Sequence, residues 1–264
     1  MSIEIVILGC GSSGGVPRVG QGWGQCDPTH PHNRRRRCAI LVEQGGEPEQ
    51  TRLLIDAGAD LREQLIAEDV RRLDALLLTH AHADHCHGMD DLRPLTMVMG
   101  GLIECYLDEP TWEQVSLRFD YCFQTPPGSN YPPLYVPHRL APGVPFAPAG
   151  PGGALETLPF RLNHGDIDAL GFRFGACAYT PDVKYVPEES FSFLENLDLW
   201  IVDALRHRLH PSHLSLGETL ELIAHFRPRR AVLTNLHTDL DYETLRRNLP
   251  DGVEPAYDGM RLRV

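Results

Sequence analysis

No stretch of this 264-residue chain approaches the run of about 20 apolar residues that a membrane-spanning helix needs. The opening MSIEIVILG lacks a basic segment and a cleavage-site pattern, so it reads as a first β-strand and not as a signal peptide. Cationic excess is missing as well. Against 36 aspartates and glutamates stand 24 lysines and arginines, a net charge of −12. That balance disfavours a protein whose affinity comes from neutralising many phosphates, so nucleic acid is not the expected partner. The seven cysteines are odd in number and follow no regular framework, which suits reduced thiols. No linker separates two self-sufficient cores, so a single domain over residues 1–264 is expected. A soluble, cytoplasmic protein without a membrane partner is the class left standing.

What is present is concentrated in LLLTHAHADHCHGMDDL. An apolar, strand-like run ends at Thr79, and three histidines and an aspartate (His80, His82, Asp84 and His85) follow within six positions. Imidazole nitrogen and carboxylate oxygen are the usual donors for zinc, manganese and iron. His80 and His82 are two apart and project to one side of an extended segment, while Asp84 and His85 follow where the backbone can turn.

Further along, strand-like segments close on residues of the same kind. Residues 158–162 run into Asn163, His164 and Gly165; 172–179 into Thr180, Pro181 and Asp182; 197–202 into Asp203. Residues 230–234 run into Asn235, Leu236 and His237. Such a pattern puts candidate ligands along one rim. Residues 38–42 and 52–55 read as strands joined by a turn at 45–48, and 60–67 and 241–249 as helices. A helix over 215–226 carries a capping-box pattern, Ser215 with Glu218, and His225 is placed on its surface. The stretch 124–153 is thick with proline and glycine and reads as a surface excursion or a substrate lid, with His138 a surface residue. The arginine run at 34–37 reads first as a solvated cluster, with Arg37 the candidate contact to a substrate phosphate. GCGSSG matches the letters of a phosphate-cradling loop, but no helix pattern follows it.

The string THAHADH resembles the His-x-His-x-Asp-His signature of the metallo-β-lactamase superfamily. The resemblance implies an α/β (α+β) fold, a four-layer αββα sandwich of two mixed sheets flanked by helices, with a binuclear metal site on one edge. It implies His80, His82 and His164 as ligands of one metal, Asp84 and His85 as ligands of the other, and Asp182 between them. It also implies that Asp56 holds the far nitrogen of a ligand histidine. Many members carry a histidine directly after the strand that ends at Thr234, where this chain has Asn235. If the backbone stays extended, positions 235 and 237 face the same way and His237 supplies the missing imidazole. Asp84 and His213 are the expected catalytic residues, His213 as general acid or phosphate contact.

Two divalent cations, zinc or manganese with iron also compatible, can acidify a shared water and stabilise an oxyanion. GCGSSGGVPR, NRRRRC and YDGM resemble the cyclic phosphodiesterase branch, with the ribonuclease Z branch nearby. The expectation is a phosphodiesterase opening a small phosphate ester, such as a 1,2-cyclic ribosyl phosphate, by attack of a hydroxide shared between the metals. A thioesterase, a lactonase or a ribonuclease Z-like nuclease is the alternative, and a non-catalytic metal binder ranks last. The partner is then a small phosphorylated substrate, and a homodimer is compatible with it. That branch carries an extra structural zinc on an N-terminal cysteine cluster. Here Cys26 alone remains of it, beside Gln21 and Trp23, so that zinc is expected to be absent.

Overall fold

The computed structural model describes residues 2–46 and 48–264. Strands β1 (Ile3–Gly9), β2 (Ala39–Gly46) and β3 (Glu49–Ile55) lead to helix α1 (Leu61–Ala67) and strand β4 (Ala75–Leu77). Helices α2 (Ala83–Cys86) and α3 (Arg93–Met99) follow, then β5 (Ile103–Asp108), α4 (Glu109–Arg118), α5 (Asp120–Phe123) and β6 (Tyr135–Leu140). A small hairpin, β7 (Ala149–Gly150) with β8 (Gly153–Ala154), precedes β9 (Leu158–His164), β10 (Ile167–Phe174), β11 (Cys177–Thr180) and β12 (Leu199–Asp203). Then come α6 (Leu216–Phe226), β13 (Arg230–Thr234), α7 (Tyr242–Asn248), β14 (Val253–Pro255) and β15 (Met260–Arg263).

The strands form two mixed sheets, ordered β15-β1-β2-β3-β4-β5-β6 and β14-β13-β12-β11-β10-β9. Alternation along each strand decides the layering. In β1, Ile5 and Ile7 turn toward the second sheet, where they meet Phe172, Tyr179, Ile201 and Val232. Val6 and Leu8 face the other way and pack with Leu61 of α1, Met89 and Val115 of α4. The second sheet does the same on its outer side, where Trp200, Val202 and Leu233 pack with Ile223 of α6 and Leu245 of α7. Three apolar clusters between four layers are the αββα sandwich expected from the sequence. Because both faces of the central strands are covered, they read as continuous apolar runs.

Several expectations needed correction. Residues 172–179 are not one strand: Gly175, at φ +57°, turns the chain between β10 and β11. The proline-rich excursion contains β6, whose Pro137 is tolerated because β6 is the edge strand beside β5. The turn at 45–48 includes Glu47, which lies outside the described residues. The arginine run is not a solvated cluster. Only Arg34 is exposed; Arg35 is 2 % exposed, and Arg36 and Arg37 pair with Asp258 and Asp60. The helix at α6 starts as its sequence says, with Ser215 and Glu218 capping each other reciprocally.

Candidate metal centre

Strands β9, β11, β12 and β13 run in one direction, so their C-terminal ends share a rim, and the loop after β4 comes to the same edge. The main chain fixes this meeting directly: Leu170 N–H donates to Thr79 O at 2.8 Å. Asp56, just past β3, accepts from Thr79 N–H at 2.9 Å, and its Oδ2 holds His85 Nδ1 at 2.7 Å. Two residues on, Gly58 lets α2 close in: a Cβ there would stand 1.9 Å from Asp84 O. Asp56 and Gly58 together seat the turn that presents Asp84 and His85.

The imidazole protons are steered away from the centre. Thr79 Oγ1 donates to Asp56, so it accepts from His80 Nδ1 at 2.9 Å and leaves His80 Nε2 a bare lone pair. His164 Nδ1 donates to Ser212 O at 2.7 Å, which likewise bares Nε2. His80 Nε2 and His164 Nε2 then converge on His82 Nδ1, at 2.9 and 3.3 Å. His85 Nε2 lies 3.4 Å from Asp84 Oδ2 and 3.2 Å from Asp182 Oδ1. His164 Nε2 and His213 Nε2 face Asp182 Oδ2 at 3.6 and 3.8 Å.

This donor set fits divalent cations. Asp182 Oδ1 is buried and, with His85 Nε2 3.2 Å away, meets no donor in good hydrogen-bonding geometry, an unusual state for a carboxylate oxygen. Burial, the largest influence, holds His80 well below the usual imidazole range and lowers His82 and His164, which keeps them neutral, as ligands must be. His85 is opposed by burial yet raised well above the usual range, because Asp182, Asp56 and Asp84 surround it.

His237 is not in this cluster. Asn235 has φ +60°, so the chain is not extended there, and the premise that positions 235 and 237 face the same way fails. His237 Nε2 contacts Arg18 Nη1 at 2.6 Å, and its Nδ1 faces Asp239 at 3.2 Å. The imidazole beside Asp182 is that of His213, whose Nδ1 donates to Asp203 Oδ2 at 2.9 Å, with the Asn235 side-chain amide 3.0 Å from the same nitrogen. Arg37, expected to contact substrate, is tied instead to Asp60 Oδ1 at 3.1 Å and Ser13 O at 3.0 Å. Cys26 lies against Arg35 and the Thr238 carbonyl. Next to the centre a cavity of about 620 Å³ is lined by His82, His87, Arg118 and Phe119 with Ala81 and Ala83. Nothing in the local pattern of 100–123 marked Arg118 or Phe119 as neighbours of the rim.

The model of the beta-lactamase superfamily domain matches residues 51–235, more than half of the chain. This chain belongs to that superfamily. A solved diphosphatase of the PhnP family superposes with a TM-score of 0.88 at 32% identity, covering 100% of this chain and 98% of that one. An octanoyltransferase of Porphyromonas gingivalis is 33% identical across 98% of this chain but 51% of its own length. A ribonuclease Z of Bradyrhizobium sp. (strain ORS 278) is 29% identical over 54% of this chain and 46% of its own. The chain thus spans about half the length of the curated relatives it matches. In this superfamily member the strand-end donors stand at one rim, and no helix among the described residues is long and apolar enough to cross a membrane.

One consequence concerns pH. Burial lowers the His213 proton affinity, but Asp203 outweighs it and pushes the imidazole up to about 9 from an ordinary value of 6.5. The metal-free folded protein therefore gains stability from this proton fully below about 6.5 and loses it as the pH rises through about 9. Melting temperature in chelator is expected to fall across that window. His213→Gln should flatten the slope. A metal-free melting temperature that rises from pH 6.5 to 9 contradicts the pairing.

Proposed function

We propose that this chain is a binuclear metal-dependent hydrolase, a phosphodiesterase acting on a small phosphate ester such as a cyclic one. The observation that carries the reading is Asp182, a buried carboxylate with an unpartnered oxygen, set between His164 and His213 on one side and His85 on the other. His80, His82 and His164 would hold one cation, Asp84 and His85 a second, with Asp182 shared. Bound cations supply Lewis acidity and a water acidified toward neutrality. Zinc and manganese both suit these nitrogen and oxygen donors.

The chain's own residues do the rest. His213, held by Asp203 through Nδ1, turns Nε2 toward Asp182, where it can contact the phosphate or deliver a proton to the leaving oxygen. Asp56 and Ser212 O keep the ligand rings of His85 and His164 in the tautomer that offers Nε2 inward. The cavity beside His82 has room for the non-reacting part of a small substrate, with Phe119 and His87 as its ring surfaces. The diphosphatase likeness supports phosphoester chemistry, and a net charge of −12 favours a small substrate over a polynucleotide. A cytoplasmic setting is part of the same reading, supported by seven buried free thiols.

The second reading is acyl hydrolysis, as in a thioesterase or lactonase on the same donors; the octanoyltransferase likeness keeps it in view. Metal-reconstituted protein should turn over bis-para-nitrophenyl phosphate well above a chelated control. It should be slower by at least tenfold on a panel of lactones and thioesters that includes an octanoyl thioester. Negligible phosphodiester turnover at full metal load, with a lactone or thioester cleaved, would favour the second reading.

A further inference from the structure

Three of the ligand rings at the rim are buried and anchored through the nitrogen that faces away from the centre. His80 Nδ1 is held by Thr79 Oγ1, His85 Nδ1 by Asp56 Oδ2 and His164 Nδ1 by Ser212 O. His82 differs. Its residue is exposed, and it turns Nδ1 inward, 2.9 Å from His80 Nε2 and 3.3 Å from His164 Nε2. Among the described residues its Nε2 has no hydrogen-bond partner, so neither packing nor a far-side anchor orients this ring. The donor it offers is also the ring nitrogen nearer its own main chain. A shift of the backbone therefore passes straight to that donor.

The backbone ahead of His82 is gripped from helix α4. Arg118 Nη1 donates to Ala81 O, the carbonyl of the peptide that joins Ala81 to His82. A peptide is planar, so fixing that oxygen fixes the plane from which His82 leaves. Arg118 is itself held, with Nη2 donating to Gln114 Oε1 at 2.7 Å, one turn earlier on the same helix. The Asp108 cap accepts from Thr111 N–H at 3.0 Å, and Val115 packs in the same apolar cluster as Ala81, Cys86 and Met89, so α4 is seated against the ligand loop. The Cys86 thiol also points at Ala81 O, at 3.5 Å, but a thiol is a weak donor. Among the described residues no carboxylate pairs with Arg118, and its guanidinium serves this clamp.

We propose that Arg118 is a positioning residue of the metal centre: through the Ala81 carbonyl it sets where His82 presents Nδ1 to the cation shared with His80 and His164. The proposal rests on the metal-dependent reading above and extends it to a residue outside the ligand set.

The test is calorimetric titration of chelator-stripped protein with zinc, which needs no substrate. The binding class that His82→Ala abolishes identifies the cation concerned. Arg118→Met keeps the aliphatic stem and removes both donors, and it should weaken that class roughly 10- to 100-fold, the usual cost of losing a group that orients a ligand. Arg118→Lys, which can still reach the carbonyl, should recover part of the loss. Gln114→Met should show a smaller loss of the same kind. Because Ala81 lines the cavity beside Arg118, a water can satisfy its carbonyl in the variant without fixing it. The metal-free melting temperature should therefore stay within about 2 °C of wild type. Zinc affinity unchanged in Arg118→Met, or lowered only in step with the metal-free melting temperature, overturns the proposal. If Arg118→Met fails to fold, Arg118→Lys and Gln114→Met replace it, and wild-type zinc affinity in both ends the idea. A wild type that takes up no zinc defeats the metal-dependent reading and this proposal with it, whereas equal binding by wild type and variants defeats the proposal alone.

Discussion

Asp182→Ala is expected to lower phosphodiester turnover by roughly 10³-fold or more, about 4 kcal/mol of transition-state stabilisation. Its carboxylate stands within 4 Å of His85, His164 and His213, and no other anion among the described residues is placed so near all three rings. Burial alone would raise its pKa, but His85 and the other imidazoles hold it well below the usual carboxylate range, so it is an anion at every working pH. Removing it leaves each metal position one donor short and takes away the negative charge that offsets two cations. The loss should be visible without turnover. Metal at a hundred times its dissociation constant stabilises a folded protein by about 2.7 kcal/mol. For a chain of this size that corresponds to a rise of roughly 5–10 °C in melting temperature. Wild type should show this rise and Asp182→Ala should lose most of it. A variant that still retains two metals per chain would show that Asp182 is not the shared ligand.

Much of this centre was legible because its residues sit close in sequence or at strand ends. His80, His82, Asp84 and His85 fall within one loop and one short helix, so local spacing sufficed. His164 and Asp182 were readable from the apolar runs that end just before them. His237 was not, because its direction depends on the left-handed backbone at Asn235, a conformation that asparagine tolerates but does not announce. The role of Asn235 was hidden for the same reason: it turns inward to Asp203 and His213. The arginine run misled through tertiary pairing. Arg35 is buried by the Leu240 carbonyl, 205 residues away, and no local pattern reports that contact. Strand β6 escaped because proline usually argues against a strand, and only its place at the sheet edge makes Pro137 acceptable.

Asp203→Asn tests the other half of the centre with little change in shape. Asp203 is fully buried, and its Oδ2 accepts from Val183 N–H at 3.1 Å while holding His213 Nδ1 at 2.9 Å. Its Oδ1 accepts from Asn235 Nδ2 at 3.2 Å. An asparagine offers one oxygen and one amino group, so one of its two sides must point a donor at a donor. If the amino group faces His213, Nδ1 has to accept, so the ring is held neutral with its one proton on Nε2 and loses the imidazolium form that Asp203 supports. If it faces Asn235, two amide donors meet in a buried place, at a cost of about 1–3 kcal/mol. By analogy with the buried aspartate of a serine protease triad, turnover should fall by roughly 10²–10⁴-fold with KM little altered. The pH profile separates this from simple damage. Asp203 is the charge that raises His213 against burial, so without it the alkaline limb of turnover should move to lower pH. His213→Ala should lose that limb and should not lose further activity when combined with Asp203→Asn, since the two act as one unit. Additive losses in the double variant would mean that Asp203 serves the fold and that His213 moves its proton without help.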